Sequence, residues 1–112
     1  MKSVRLPRAD ALQVEQSKVQ HYLLNLDHVD GHAKAAFLLK FGFRQSDWKT
    51  LARALQEHGR TRPVVMQNAS PYGQKFEVRC TLSSPDGRNP CITSIWIQEG
   101  SNAPRLITVL PR

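Results

Sequence analysis

Apolar residues change their spacing at Arg62. Before it they recur every three to four positions, and after it they alternate within short runs bounded by turn formers. In the first half, "VEQSKVQHYLLNL" sets Val19, Tyr22, Leu23 and Leu26 at helical spacing. "DHVDGHAKAAFLLKFGF" breaks at Asp30-Gly31 and resumes as a helix that a left-handed Gly42 would close. Ala33, Ala35, Ala36, Phe37, Leu38, Leu39 and Phe41 surround that second helix, which predicts a central, buried element. In "SDWKTLARALQEHG", Ser46 can cap a third helix, Trp48, Leu51, Ala52 and Leu55 form its stripe, and Gly59 is a stop signal. Lys49, Arg53 and Gln56 occupy its other face.

Beyond Arg62, "PVVMQN", "QKFEVRCTL", "CITSIWIQ" and "RLITVLP" read as strands separated by "ASPYG", "SSPDGRNP" and "EGSNAP". The order predicts an α+β domain: an N-terminal three-helix segment followed by a four-stranded antiparallel β-meander. One domain over 1–112 is expected, with an extended lead-in at 1–10, partly ordered at best, a helical part at 15–59 and a sheet part at 62–111. If Pro85-Asp86 centre the middle hairpin, Cys80 faces Cys91, Val78 faces Thr93 and Phe76 faces Ile95, and that face is the core. Trp96, Ser94 and Ile92 then fall on the opposite face with Lys75, Glu77, Arg79 and Thr81. A bulge beside Gly87 would shift these pairs. Strand parity alone keeps Ser94 beside Trp96.

Charge adds a partner class. Sixteen Lys+Arg against nine Asp+Glu leave +7, with a pI near 10.0, so a polyanion is the expected partner. The surplus is divided between residues 1–60 and 61–112, so it is not a basic tail. No apolar run reaches the roughly 20 residues of a bilayer span, and "MKSVRLPRAD" lacks a signal peptide's apolar segment. A soluble chain without a membrane partner is expected. Two cysteines, Cys80 and Cys91, are too few for a metal cage or a disulfide framework, and their spacing leaves open whether they bond to each other. No metal and no cofactor are expected.

Among residues suited to chemistry, His28 and His32 bracket the Asp30-Gly31 break, and Lys34 follows in the first turn of the apolar helix. At 100° per residue, Lys34 and His32 point to nearly opposite sides, so His28 is the better companion for Lys34. His58 ends its helix, where the dipole favours a positive charge, and reads as structural. Trp96 beside Ser94 and Arg79 could stack a base and hold a phosphate; the competing reading is that Trp96 packs in a core. The chain carries no phosphate-cradling glycine loop, no GxSxG and no HExxH.

"YLLNLDHVDGHAKAAFLLKFGF", "WKTLARALQEH", "SPYGQKFEVRCTL", "SPDGR" and "SIWIQEGSNAPRLITVLP" together resemble the bacterial domain family DUF6883. More remotely, helices before a four-stranded sheet, a Lys/His pair and Ser-x-Trp on a strand are similar to the RNase toxin superfamily of barnase, EndoU, colicin D and RelE. That resemblance implies His28, Lys34, Ser94 and Trp96 as catalytic residues, with His32 and Arg79 as further candidates. In colicin D the histidine follows the lysine by one helical turn, whereas Phe37 and Leu38 stand there in this chain.

The implied activity is a metal-independent endoribonuclease, a bacterial toxin cutting RNA such as tRNA in the cytoplasm, stand-alone or delivered as part of a larger secreted toxin. An acidic immunity protein or antitoxin would neutralise it. The alternatives are a non-catalytic nucleic-acid-binding module and a protein-interaction domain using the same basic face.

Overall fold

The computed structural model describes residues 4–112, so the first three residues of the expected lead-in lie outside it. A short helix, α1 (Gln16–Lys18), widens directly into a π-helical turn over Val19–Leu23. Val19, Leu23 and Leu24 are buried, while Leu26 is exposed because the helix ends before reaching it. Helix α2 (His32–Lys40) begins after the Asp30-Gly31 break and closes through Gly42, whose φ is 100°. It is not buried all round as its composition predicts. Ala35 and Leu38 face the core, whereas Ala33 and Ala36 are exposed, since alanine is a helix former that tolerates either side.

Helix α3 (Trp48–Thr61) follows a 3-10 turn that contains Ser46, so Ser46 is not its cap. The expected stop at Gly59 is also absent. The helix passes through this glycine because a Cβ there would sit 2.7 Å from both Leu12 Cδ1 and Trp96 Cζ2. Close packing, and not chain termination, requires the glycine. Leu51, Ala52, Leu55, His58 and Gly59 make its buried stripe.

The sheet is a four-stranded antiparallel meander in the order β1 (Val64–Ser70), β2 (Gly73–Thr81), β3 (Cys91–Gln98) and β4 (Arg105–Pro111). The β2–β3 register differs by one residue from the turn-centred expectation: Phe76 pairs with Trp96, Val78 with Ser94 and Cys80 with Ile92. A slip of one residue turns every β3 side chain to the other face. Ile92, Ser94 and Trp96 therefore join Phe76 and Val78 in the core, all at 4% exposure or less. In β4 a second shift, between the Ile95 and Trp96 pairs, leaves Ile107 as an extra residue.

Two connections fix the helices on the sheet. Residues 4–13 are tied to the rest of the domain: Leu6 and Leu12 are buried, Val64 N–H donates to Val4 C=O at 2.8 Å, and Gln13 bridges to Arg105. The β2–β3 loop grips the end of α2. Arg88 Nη2 donates to Lys40 C=O at 2.6 Å, its guanidinium lies 4.5 Å from the Phe41 ring centroid, and Asp86 N–H donates to Phe41 C=O at 3.2 Å. Asp86 binds Arg88 in turn at 2.6 Å, and the Arg88 backbone N–H holds its carboxyl below the ordinary 3.8. Cys80 and Cys91 are joined by a disulfide at the base of this loop, with Cα atoms 4.5 Å apart.

Candidate functional site

Ser94 and Trp96 share a buried polar chain. Trp96 Nε1–H donates to Ser94 Oγ at 2.8 Å, and Ser94 Oγ lies 2.8 Å from His58 Nδ1. His58 Nε2 faces the Cys80 carbonyl at 3.0 Å, which only accepts, so Nε2 carries the proton and Nδ1 receives that of Ser94. Burial pushes His58 down to about 4 from 6.5, against the Cys80 carbonyl, which favours the charged form. All three side chains are at most 1% exposed. Ser94 and Trp96 thus stand together but inside the core, where a substrate cannot reach them; the competing packing role for Trp96 is the one observed.

His28 and Lys34 do come together, on Tyr22. The π-helical turn presents the Tyr22 ring beside the loop carrying His28, with the two rings edge to face and centroids 5.0 Å apart. Lys18 Nζ lies 5.2 Å and Lys34 Nζ 5.9 Å from the Tyr22 ring centroid. Tyr22 Oη meets Thr108 Oγ1 at 2.9 Å, the residue after the extra Ile107 of β4. A cleft of about 500 Å³ opens here, lined by Ser17, Lys18, Tyr22, His28, Ile107 and Thr108. Among the described residues, neither ammonium has a carboxylate within 4.0 Å. Lys18, an imidazole and the hydroxyls of Ser17, Tyr22 and Thr108 line the cleft, with Lys34 beside it on the Tyr22 ring, and this set suits an anionic oxygen such as that of a phosphodiester.

Gly31 makes the arrangement sterically possible. A Cβ at this position would lie 2.6 Å from Tyr22 O and 2.8 Å from Tyr22 Cδ1. His28 Nδ1 accepts the backbone N–H groups of Asp30 and Gly31, each at 3.0 Å, and so holds the turn that leads into α2.

The model of a domain of unknown function, DUF6883, matches residues 5–112. The chain belongs to the DUF6883 family. No curated protein matches this DUF6883 domain significantly. Its fold is similar to that of a chain in a contact-dependent growth inhibition toxin–immunity protein complex from Klebsiella pneumoniae 342. The TM-score is 0.73 at 16% identity, over 93% of this chain and 96% of that one.

The remaining candidates of the DUF6883 chain lie elsewhere. Arg79 is on β2 among the residues facing away from the core, where its Nε donates to Thr93 Oγ1 at 3.1 Å and its Nη2 lies 3.9 Å from Glu77. His32 is exposed, and its Nδ1 faces the carbonyls of His28 and Val29. Lys18, Tyr22 and Thr108 were not singled out by sequence reasoning. Tyr22 sits in an apolar stripe, Lys18 resembles any solvated lysine, and Thr108 reaches Tyr22 beside a register shift that alternation does not encode.

Proposed function

We propose that this domain is a toxin that cleaves RNA in the cytoplasm by transesterification, without a metal ion, at the Tyr22 cleft. The observation that carries the reading is the convergence of Lys18, Lys34 and His28 on Tyr22 with, among the described residues, no carboxylate within 4.0 Å of either ammonium group. The +7 charge and the fold it shares with a chain from a toxin–immunity complex support it.

In the proposed reaction the 2′ oxygen attacks the adjacent phosphorus and the bond to the 5′ oxygen breaks, giving a 2′,3′-cyclic phosphate and a 5′-hydroxyl. The 2′-hydroxyl loses one proton and the departing oxygen gains one, so no co-reactant is consumed. Lys18 and Lys34 stabilise the charge gathered on the phosphorane, and His28 lines the same cleft. The hydrogen-bonded Tyr22–Thr108 hydroxyl pair can accept a proton from one oxygen and return one to the other. An acidic immunity protein would cover the cleft by meeting the same cations, and delivery within a larger toxin would bring the domain to its RNA.

The test is incubation with tRNA and other structured RNA in EDTA, followed by mapping of strand ends. Cyclic phosphate termini are expected. Lys18→Ala, Lys34→Ala and His28→Ala should each lower cleavage by about 10²–10³-fold, and Arg79→Ala should leave it unchanged. Intact RNA bound with a steep salt dependence would instead identify a non-catalytic binding module. Absence of RNA affinity would leave a protein-interaction domain.

A further inference from the structure

We infer that His28 acts in the cleft as a neutral hydrogen-bond donor through Nε2–H and exchanges no proton with the substrate. This assignment rests on the Tyr22 cleft being the site that receives a phosphate group.

Two backbone N–H groups, those of Asp30 and Gly31, point at Nδ1 from 3.0 Å. An N–H group donates, so Nδ1 is an acceptor, and the single proton of a neutral imidazole is on Nε2. A second proton would have to occupy Nδ1, already filled by two donors. Loss of the Nε2 proton would leave an imidazolate anion. A proton on Nδ1 would require both of these N–H groups to turn away, and with them the turn that leads into α2. Nε2–H is the one polar group that the ring can offer to the cleft it lines.

The surroundings hold the ring in this state. His28 N–H donates to Asn25 C=O at 3.2 Å, and His28 C=O accepts from His32 N–H at 3.0 Å. Tyr22 packs edge to face against the imidazole, and Gly31 is seated so close to Tyr22 that an added Cβ would clash with it. A donor fixed before substrate arrives needs no reorganisation during the reaction. A neutral histidine held by backbone N–H groups at a helix start is an established way to polarise an oxygen without transferring a proton.

His32 has the opposite tautomer. Its Nδ1 lies 3.2 and 3.1 Å from the carbonyl oxygens of His28 and Val29, so that nitrogen carries the proton. The two histidines that bracket the Asp30-Gly31 break are therefore chemically distinct, and of the two only His28 lines the cleft.

Long-range 1H–15N correlation spectra of the labelled, RNA-free protein read the tautomer directly. The expected pattern places the His28 proton on Nε2, and titration with inorganic phosphate should shift that N–H signal. Two variants separate the roles of the ring. His28→Gln sets an amide N–H near the Nε2 position, and His28→Asn sets an acceptor oxygen near Nδ1 but nothing at Nε2.

With both folded by near-ultraviolet circular dichroism, His28→Gln should keep RNA cleavage within about tenfold of wild type. His28→Asn should lose about a hundredfold or more. A proton-transfer role predicts losses of roughly 10²–10⁴ in both. A proton on Nδ1, an Nε2–H signal that ignores phosphate, or a folded His28→Gln as inactive as His28→Asn would overturn the inference. If wild type cuts no RNA, the nuclease reading fails, while the tautomer and the phosphate-induced shift still decide the role of His28.

Discussion

Gly59 of α3 lies directly against Trp96 of β3, and a Cβ on the glycine would stand 2.7 Å from Trp96 Cζ2. The pair sets how closely the third helix approaches the sheet. It also explains a glycine inside a helix, which costs about 1 kcal/mol relative to alanine.

Gly59→Ala should therefore destabilise the fold despite its better helix propensity. Overpacking against Leu12 and Trp96 is expected to lower the free energy of unfolding in urea by about 1–3 kcal/mol. A stability gain would show that the core yields at this point.

The buried His58 makes stability depend on pH. Its folded value of about 4 lies below the unfolded 6.5. Its contribution is complete above pH 6.5 and is lost as pH falls towards 4, because the unfolded chain takes a proton that the folded chain refuses. The total loss should be about 3 kcal/mol. Urea unfolding at pH 7.5 and 4.5 measures it, and His58→Gln should show a smaller difference between the two.

Gly31→Ala should act on the cleft. The added methyl meets the Tyr22 backbone oxygen at 2.6 Å, so either the turn or Tyr22 must move. Loss of about 1–3 kcal/mol of stability is expected, together with a changed Tyr22–His28 contact visible in ring-proton shifts. Unaltered shifts would contradict the close packing.

The Cys80–Cys91 disulfide closes the loop that grips α2. Reduction by a dithiol, or the Cys80→Ser/Cys91→Ser double variant, should cost about 2–4 kcal/mol in urea unfolding. Amide exchange should rise in the last turn of α2 if the grip on Lys40 and Phe41 depends on that closure.

Much of the architecture was legible from local signals. The change of period at Arg62, Gly42 after α2 and the turn formers between strands each act within a few residues, and the elements formed where they point. Errors arose where a distant contact decides a local feature. Ser46 and Gly59 carry the chemistry of a cap and a stop, yet the 3-10 turn and Trp96 determine what they do.

The candidate site divides in the same way. Sequence alone placed His28 and Lys34 around a helix start and kept Ser94 beside Trp96, because helix and strand periods are local properties of the backbone. Which face of the sheet Ser94 and Trp96 occupy depends on register, and one residue moved both from an expected surface into the core. Only tertiary structure brought Lys18, Tyr22 and Thr108 to His28. Those contacts need the π-helical turn, the β4 shift and the docking of helix on sheet together, and the pattern of the chain encodes none of the three by itself.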